Sequence, residues 1–368
     1  MSNYVKVGAG APQSWKRPLD WVPIPAVGAN EEVAYILNAV WNTTINPCAL
    51  LCNGTGAGYT VDWGDGTITN HTFNTKAQRN YVYANVTSQI SIRGYKTVLI
   101  KVTPQAGANI TTFNIQQRHT TYNSDYRSRI LDLVINYNNL TTLTMFGATL
   151  SNPYIESLVI KKVPNNQLGS GFTGSTNLKY FEVKTQISGN IDNPFGSVSH
   201  SNLKVKLDLR GVTYFSRLAP YNASSYIDLS DVILPNSFTQ IEGFGSSYAI
   251  LAWPDLKDKI IIGSGDYMFW AMQSNFNFHT VPAINMSQVT SVTGLLSVNA
   301  GVIQKVLWYG LTRSHGFANQ LLDNTSLNEI FTNLGTAISG ASITITGNPG
   351  AATCNTSIAT AKGWTVIN

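Results

Sequence analysis

The sequence predicts a mainly β protein made of an extended N-terminal arm, a β-sandwich and a β-solenoid with short helices. Three observations support this prediction. Charged residues make up only 12% of the 368 residues, compared with ~25% in typical soluble domains. A tight-turn motif rich in glycine and aspartate joins two β-prone segments near residue 65. After residue 104, short apolar segments recur along the chain.

Residues 1–30 are predicted to form an extended docking arm. Four prolines interrupt the segment, and proline disfavours the interior of a helix. Trp15, Trp21 and Val22 supply apolar anchors, which need a partner surface when the arm is ordered. That surface is either the arm's own domain or a neighbouring subunit. We interpret the arm as an assembly device, so that its deletion should leave the rest of the chain folded.

Residues 31–104 are predicted to form the β-sandwich, with a hairpin turn at Gly64-Asp65-Gly66. Gly64 and Gly66 can take the positive φ that such turns require. Asp62 and Asp65 can accept hydrogen bonds from the N–H groups of the turn. Calcium binding is the alternative role for these carboxylates, but Ca²⁺ takes 6–8 oxygen ligands and the next acidic residue is Asp125. We therefore favour the turn role.

Residues 105–368 are predicted to form a leucine-rich-repeat-like domain. Apolar runs begin at Ile130, Leu140, Ile155, Leu178 and Leu203. From Leu140 onward the runs start 15, 23 and 25 residues apart, and this irregular spacing, mostly about 20–29 residues, is typical of leucine-rich repeats. We expect parallel strands stacked in one sheet, with one core that includes Leu143, Leu158, Phe181 and Leu207. An ordinary β-sandwich with accidental spacing is the alternative.

The C-terminus is predicted to form a cap repeat. The pattern predicts a helix over 324–334 with Thr325 or Ser326 as its N-cap. A strand over 342–346, a short helix over 356–361 and a strand over 364–367 should follow. This order is typical of one full repeat that hides the open end of a stacked core.

Several segments resemble known families. The motif Val61-Asp-Trp-Gly-Asp-Gly-Thr67, together with the ending Ile100-Lys-Val-Thr-Pro104, resembles the polycystic-kidney-disease (PKD) type of immunoglobulin-like sandwich. Residues 17–25, the same turn and residues 93–104 look like the start of tailed-phage fibre or receptor-binding-type structural proteins. Residues 345–366 are similar to the last leucine-rich repeat of phage and bacterial surface proteins of the BspA type.

This resemblance implies a non-enzymatic structural protein of a bacteriophage virion. The chain would be a tail fibre or particle-surface protein that acts in assembly, in adhesion to the host surface, or in both. Its expected partners are other virion proteins and a host surface glycan or receptor, and it would be present in several copies per particle. The resemblance carries over no catalytic, cofactor-binding or metal-binding residue, and deletion of the arm should prevent the chain from joining the particle.

The residues themselves also point away from an enzyme. The sequence contains neither a G-x-S-x-G nucleophile motif nor a phosphate-binding loop. A glycan-degrading tail protein is the alternative, because paired carboxylates can cleave glycosidic bonds. The candidate pairs are Asp228 with Asp231 and Asp255 with Asp258. The aromatic residues Tyr267, Phe269 and Trp270 could stack on sugar rings, although core packing is the more common role of such residues.

Charge and hydropathy set the remaining expectations. The 24 basic residues do not cluster, so nucleic-acid binding is not expected. No apolar run reaches the ~18 residues of a membrane helix, and no secretory signal is evident. We therefore expect synthesis in the host cytoplasm and a place in the virion; a bacterial surface adhesin, the third hypothesis, would need export. The odd cysteine count, from Cys48, Cys52 and Cys354, argues against a disulfide framework.

Overall fold

The computed structural model describes residues 15–122, 128–144, 154–163, 177–189, 191–192, 195, 203–212, 214–216, 218, 227–242, 250–252, 255–264, 279–292 and 303–368. The fold is mainly β, with 38% strand and 6% helix, and it has a β-solenoid-like arrangement. Both features confirm the coarse fold prediction. In the described part of the chain, all three cysteines are free thiols, and Cys48 and Cys52 are buried.

The first part of the described chain consists mostly of antiparallel strands. These are β1 (Val33–Trp41), β2 (Pro47–Thr55), β3 (Tyr59–Asp62), β4 (Ile68–His71), β5 (Ala77–Asn80), β6 (Tyr95–Pro104), β7 (Asn109–Asn114), β8 (Ile130–Asn136) and the short β9 (Thr142–Thr144), with a 3₁₀ turn at Tyr83–Asn85. One sheet has the order β8-β1-β6-β3-β4, and the other has the order β5-β2-β7-β9. Only β9 pairs parallel to its neighbour here.

The antiparallel part and the solenoid share one hydrophobic core. Ile36, Leu50, Ile100 and Phe113 come from both antiparallel sheets and belong to the same buried cluster. That cluster continues through Leu158, Phe181 and Leu207, with Leu143 partly buried against it. Since β1 pairs with β6 on one side and β8 on the other, the sheet crosses the boundary that the sequence predicts at residue 104.

Parallel strands follow, and they alternate between two sheets. They are β10 (Ser157–Ile160), β11 (Tyr180–Val183), β12 (Ile191–Asp192), β13 (Leu203–Asp208), β14 (Tyr214–Ser216), β15 (Ile227–Ile233), β16 (Ser237–Glu242), β17 (Ile250–Ala252) and β18 (Ile260–Ser264). The first sheet continues from β8 in the order β8-β10-β11-β13-β15-β17, and the second has the order β12-β14-β16-β18. Leu203 pairs with Ile227, so one coil takes about 24 residues, within the leucine-rich-repeat range of ~20–29.

The expectation of one sheet of parallel strands is wrong. Each coil from β11 onward gives one strand to each of two sheets, and the larger sheet also contains the antiparallel strands. Parallel neighbours need a crossover between them, and here the crossover itself contains a strand. The two apolar runs that start at Leu140 and Ile155 do not pair with each other: β9 pairs with β7, and β10 with β8.

The C-terminal part contains both described α-helices. Its elements are β19 (Thr280–Val281), β20 (Lys305–Val306), β21 (His315–Gly316), α1 (Asn324–Asn333), β22 (Ser342–Thr344), α2 (Ser357–Thr360) and β23 (Thr365–Ile367). Strands β21, β22 and β23 form a parallel sheet. In the described ranges, no helix has the length and apolar character needed to span a membrane.

The predicted N-cap of α1 is wrong by two or three residues. The cap is Asp323, whose Oδ1 accepts a hydrogen bond from the Ser326 N–H at 2.7 Å. An aspartate is among the best N-cap residues because its carboxylate satisfies a free N–H of the first turn. The element order of the C-terminus otherwise follows the prediction.

A buried asparagine connects the last coils. Asn348 donates to the carbonyl oxygens of Phe317 and Ile345 at 2.7 and 2.8 Å, and its Oδ1 accepts from the Leu322 N–H at 3.2 Å. It follows the buried residues Ile343 and Ile345 at the spacing of the leucine-rich-repeat consensus. One side chain thus satisfies three backbone groups in neighbouring segments.

His315 gives the C-terminal part a pH dependence of defined sign. Its Nε2 is buried and has no hydrogen-bond partner in the described residues, and burial lowers the pKa of His315 from 6.5 to about 4. Below pH 6.5 the unfolded chain binds a proton that the folded chain does not accept until about pH 4. We expect the free energy of unfolding to fall through this window by up to about 3 kcal/mol.

Urea unfolding at pH 7 and pH 4.5 measures this effect. His315→Leu should reduce the loss of stability between the two pH values. Burial also lowers the pKa values of His71 and His119, so part of the loss should remain in this variant. The same loss in wild type and His315→Leu would contradict the assignment.

Candidate functional site

The predicted turn residues lie at the hairpin between β3 and β4. Asp62 is paired with Ile68 across this hairpin. Gly64 and Gly66 have φ values of 70° and 85°. The Gly64 N–H donates to Asp62 Oδ1 at 2.9 Å, and the Thr67 N–H donates to Asp65 Oδ1 at 3.1 Å. Both carboxylates therefore accept hydrogen bonds from the turn backbone.

Asp65 also anchors the turn to β5. Its Oδ2 lies 2.7 Å from Arg79 Nη2, and the same nitrogen donates to Thr67 Oγ1 at 2.8 Å. Among the described residues, no group of three or more histidine, cysteine or acidic side chains could hold a metal ion. Both oxygens of Asp65 thus have partners in the turn and in β5.

The predicted arm falls partly outside the described residues, which begin at Trp15. Residues 15–32 form what we call the N-terminal clasp. Trp21 is only 3% exposed, and it packs against Leu37, Tyr95 and Leu131 on the outer face of the large sheet. Trp15 and Val22 are partly buried against the same cluster. The described part of the arm thus contacts its own chain, one of the two alternatives.

Hydrogen bonds and an ion pair hold the clasp against the large sheet along its length. Arg17 Nε lies 2.7 Å from the buried carboxylate of Asp132 in β8. The Trp21 indole N–H donates to Tyr95 Oη at 3.2 Å. Farther along, Asn136 donates to the Gly28 carbonyl oxygen at 3.2 Å. The clasp therefore spans strands on both sides of β1.

One candidate carboxylate pair, Asp255 with Asp258, makes hydrogen bonds to other residues. The possible sugar-stacking residues Tyr267, Phe269 and Trp270 lie outside the described residues. Asp255 accepts a hydrogen bond from the Lys257 N–H at 3.0 Å, which is a local turn contact. Asp258 has a φ of 61° and accepts from the Tyr309 hydroxyl at 3.2 Å. Asp255 and Asp258 thus each have a hydrogen-bond partner of their own.

The other pair, Asp228 with Asp231, belongs to a larger cluster on the outer face of the parallel strands. Strand pairing aligns Ser157, Tyr180, Lys204 and Asp228 in one row across the sheet. The next row aligns Val159, Glu182, Lys206 and Asp231. We call the following six residues the charged ladder: Tyr180, Glu182, Lys204, Lys206, Asp228 and Asp231. The alternate positions Phe181 and Val205 face the core and are fully buried.

The charged groups of the ladder pair with one another. Lys204 Nζ lies 3.0 Å from Asp228 and 3.2 Å from Asp231. Lys206 Nζ lies 3.0 Å from Glu182, which also accepts from the Tyr180 hydroxyl at 3.0 Å. Each ladder residue therefore has a partner on its own or a neighbouring strand.

Local environment shifts two pKa values in the ladder. Burial opposes ionisation of Asp228, but hydrogen bonds from Ser230 and Lys204 outweigh it and lower the pKa of this carboxyl. Burial and the neighbouring Glu182 carboxylate raise the pKa of Tyr180. At neutral pH, Asp228 is therefore ionised and Tyr180 keeps its proton as a hydrogen-bond donor.

The clasp reaches the ladder at one point. The indole of Trp15 stacks on the ring of Tyr180, with 5.8 Å between ring centroids and an angle of 20° between planes. Only Asp228 and Asp231 of the ladder are among the sequence candidates. The signal that could have identified the others is the alternation of polar and apolar residues in the successive runs that begin at Leu178 and Leu203.

Lys204 is expected to matter more to stability than Lys206. Lys204→Met leaves Asp228 and Asp231 facing each other without a cation, and the Lys204 and Asp228 side chains are each only 14% exposed. We expect a loss of about 1–2 kcal/mol at pH 7, between the values for exposed and buried ion pairs. Lys206 is 52% exposed, so Lys206→Met should cost less than about 1 kcal/mol.

Urea unfolding of both variants at pH 7 and pH 3 tests this difference. The pKa of Asp228 is lowered in the folded chain, so the stability it contributes is present above the ordinary aspartate pKa and lost as pH falls through the lowered pKa. The deficit of Lys204→Met should therefore shrink at pH 3. Equal deficits for the two lysine variants would contradict this account.

Comparison of the chain with models of known protein families, with curated proteins and with solved structures finds no match.

Proposed function

We propose that this chain is a non-enzymatic structural protein of a tailed-bacteriophage particle, a tail fibre or particle-surface protein that acts in assembly and host-surface adhesion. The observation that carries the proposal is the charged ladder. It offers an extended face on regular strands, which hold side chains more firmly than loops do. Its charged groups are paired with one another, and Lys206 and Asp231 are about half exposed at 52% and 50%, so they are open to a partner.

The ladder favours binding over glycan cleavage. Hydrolysis by two carboxyl groups requires one of them to be protonated at neutral pH so that it can act as an acid. Asp228 instead has a lowered pKa, and it shares Lys204 with Asp231. A bacterial surface adhesin would use the same face, and it remains the alternative among binding proteins.

The proposal also assigns the two parts of the fold to known types of domain. A PKD-like, immunoglobulin-like sandwich over residues 31–104 is supported by the two antiparallel sheets with a common core. Inside that core, the hydroxyl of buried Tyr81 donates to the Trp63 carbonyl oxygen at 2.9 Å. A leucine-rich-repeat-like character of the solenoid is supported by the coil length and by the contacts of Asn348.

Exposed apolar residues in the clasp and in the loop beside it favour a role in assembly. Leu19 and Ile92 are almost fully exposed, at 103% and 92%. They lie close together, because the neighbouring Asp20 accepts a hydrogen bond from the Ile92 N–H at 2.8 Å. Ile90 in the same loop is also exposed. Exposed apolar residues that lie together mark contact surfaces for other proteins, and we infer here a contact with other virion proteins or further copies of the chain.

Two measurements test the proposal. Antibodies raised against the purified chain should label intact phage particles in electron micrographs. The purified chain should also adsorb to host cells without releasing reducing ends from the host's surface polysaccharide. Unlabelled particles would contradict the virion role, and absence of adsorption would contradict adhesion. Release of reducing ends that Asp228→Asn abolishes would instead support the depolymerase alternative.

A further inference from the structure

The geometry points to the charged ladder, with the Trp15–Tyr180 pair at its edge, as a binding site for a neutral polysaccharide chain. This inference rests on the proposed adhesion function and names the site and the class of ligand. It follows from the spacing of the rows, from the pairing of their charges and from the aromatic pair.

The spacing suits a repeating polymer. Neighbouring strands lie about 4.8 Å apart, so Tyr180, Lys204 and Asp228 repeat across the sheet at that interval. Glu182, Lys206 and Asp231 form a second row beside the first. Lys206 and Asp231 are about half exposed, at 52% and 50%. A chain laid across the strands would therefore meet a polar group from each strand in turn.

The pairing of charges favours a neutral ligand. The ladder holds three carboxylates and two ammonium groups, a net charge of −1, and each lies 3.0–3.2 Å from an opposite charge. A polyanion would face the carboxylates of Asp228, Asp231 and Glu182, and a polycation would face the two lysines. Hydroxyl groups suit both kinds of site, since they donate to carboxylates and accept from ammonium groups. Hydrogen bonds to charged partners are the stronger ones.

The aromatic pair supplies the apolar part of the site. The rings of Trp15 and Tyr180 stack on each other, both residues remain partly exposed outside the stack, and the Tyr180 hydroxyl is held by Glu182. Tyrosine and tryptophan rings offer a large apolar surface with a polar group at the edge. A sugar ring has the matching combination of C–H faces and hydroxyl edges.

A glycan array tests the inference with the full chain, labelled with a fluorophore. The array carries neutral glucans, mannans and galactans beside sulfated and uronic-acid-containing glycans. We expect retention on neutral members. For the best neutral oligosaccharide in solution, Tyr180→Ala should raise Kd at least about tenfold, as loss of an aromatic anchor does. Tyr180→Phe, which keeps the ring, should raise it by less.

Two matched controls separate the site from general surface effects. Tyr154 is an exposed tyrosine outside the two rows, so Tyr154→Ala should leave Kd within about twofold. Glu329 pairs with Lys305 at 3.1 Å on α1, much as Glu182 pairs with Lys206. Glu182→Gln should therefore weaken binding, whereas Glu329→Gln should not. Circular dichroism melts verify that each variant is folded.

Several results would overturn the inference. Retention only on acidic glycans, no retention on any glycan, or equal losses in Tyr154→Ala and Tyr180→Ala would each do so. The inference can also fail separately from adhesion. If wild type and Tyr180→Ala adsorb equally to host cells, the site is wrong and adhesion stands. If neither adsorbs, the adhesion function itself is wrong.

Discussion

Gly64→Ala should destabilise the protein far more than Gly66→Ala. Both glycines have positive φ, which costs an alanine about 1–2 kcal/mol. Their surroundings differ, however. A Cβ on Gly64 would lie 2.3 Å from the Leu99 carbonyl oxygen of β6, whereas a Cβ on Gly66 would meet nothing within 4 Å. A backbone oxygen in a paired strand can move away only if that strand shifts.

We expect a loss of about 1–2 kcal/mol for Gly66→Ala and more than about 3 kcal/mol for Gly64→Ala, among the larger effects of single substitutions. Urea unfolding monitored by tryptophan fluorescence measures both values, since Trp63 is buried next to the turn. Equal losses of stability in the two variants would show that only the positive φ destabilises them and that β6 shifts to accommodate the added methyl group.

Local sequence signals predict the local structure of this chain well. Glycines and aspartates in one short motif determine the hairpin between β3 and β4, because the positive φ and the acceptor groups are properties of those residues. The C-terminal helices and strands also follow from nearby caps and apolar spacing. The N-cap of α1 is the exception, since Asp323, Thr325 and Ser326 are all good capping residues and the sequence alone does not rank them.

Long-range pairing is what the sequence does not reveal. The sheet to which each strand belongs depends on how the chain turns between strands. A coil with two strands therefore has much the same sequence pattern as a coil with one. The ladder depends on lateral register in the same way. A register shift between Lys204 and Lys206 places Asp231, rather than Ser230, opposite Lys206. Without that shift, the second row would contain no carboxylate from β15.

The contacts of the clasp are also long-range contacts that the sequence does not reveal, and they join residues farther apart in the chain. In the sequence, Asp132 is a polar residue inside an apolar run. In the folded chain its side chain is almost completely buried beside Arg17, 115 positions away in the sequence. Composition indicates that Trp15, Trp21 and Val22 need a partner surface. Composition does not indicate which surface they contact. Only the contacts of the folded chain identify it as the outer face of the large sheet.

Removing the clasp should therefore destabilise the chain itself. The sequence-based expectation is that deletion of residues 1–30 leaves the rest folded. The contacts of Trp21 with Leu37, Tyr95 and Leu131 lead us to expect a clearly lower thermal transition instead. Trp21→Ala alone should cost about 3–5 kcal/mol, as for other buried tryptophans. Leu19→Ala, two residues away and fully exposed, should change stability by less than about 0.5 kcal/mol.

Arg17 should stabilise the folded chain because it neutralises the buried carboxylate of Asp132. Burial raises the pKa of Asp132 even though Arg17 and Ser157 stabilise its ionised form. Arg17→Met leaves this carboxylate buried without a cation and should cost about 3–5 kcal/mol. In an Asp132→Asn background, the same substitution should cost much less, because no buried charge remains. Urea unfolding of the four proteins gives the coupling energy. A coupling near zero, together with an unchanged transition after deletion of residues 1–30, would mean that the clasp does not stabilise its own chain and is free to bind a neighbouring subunit.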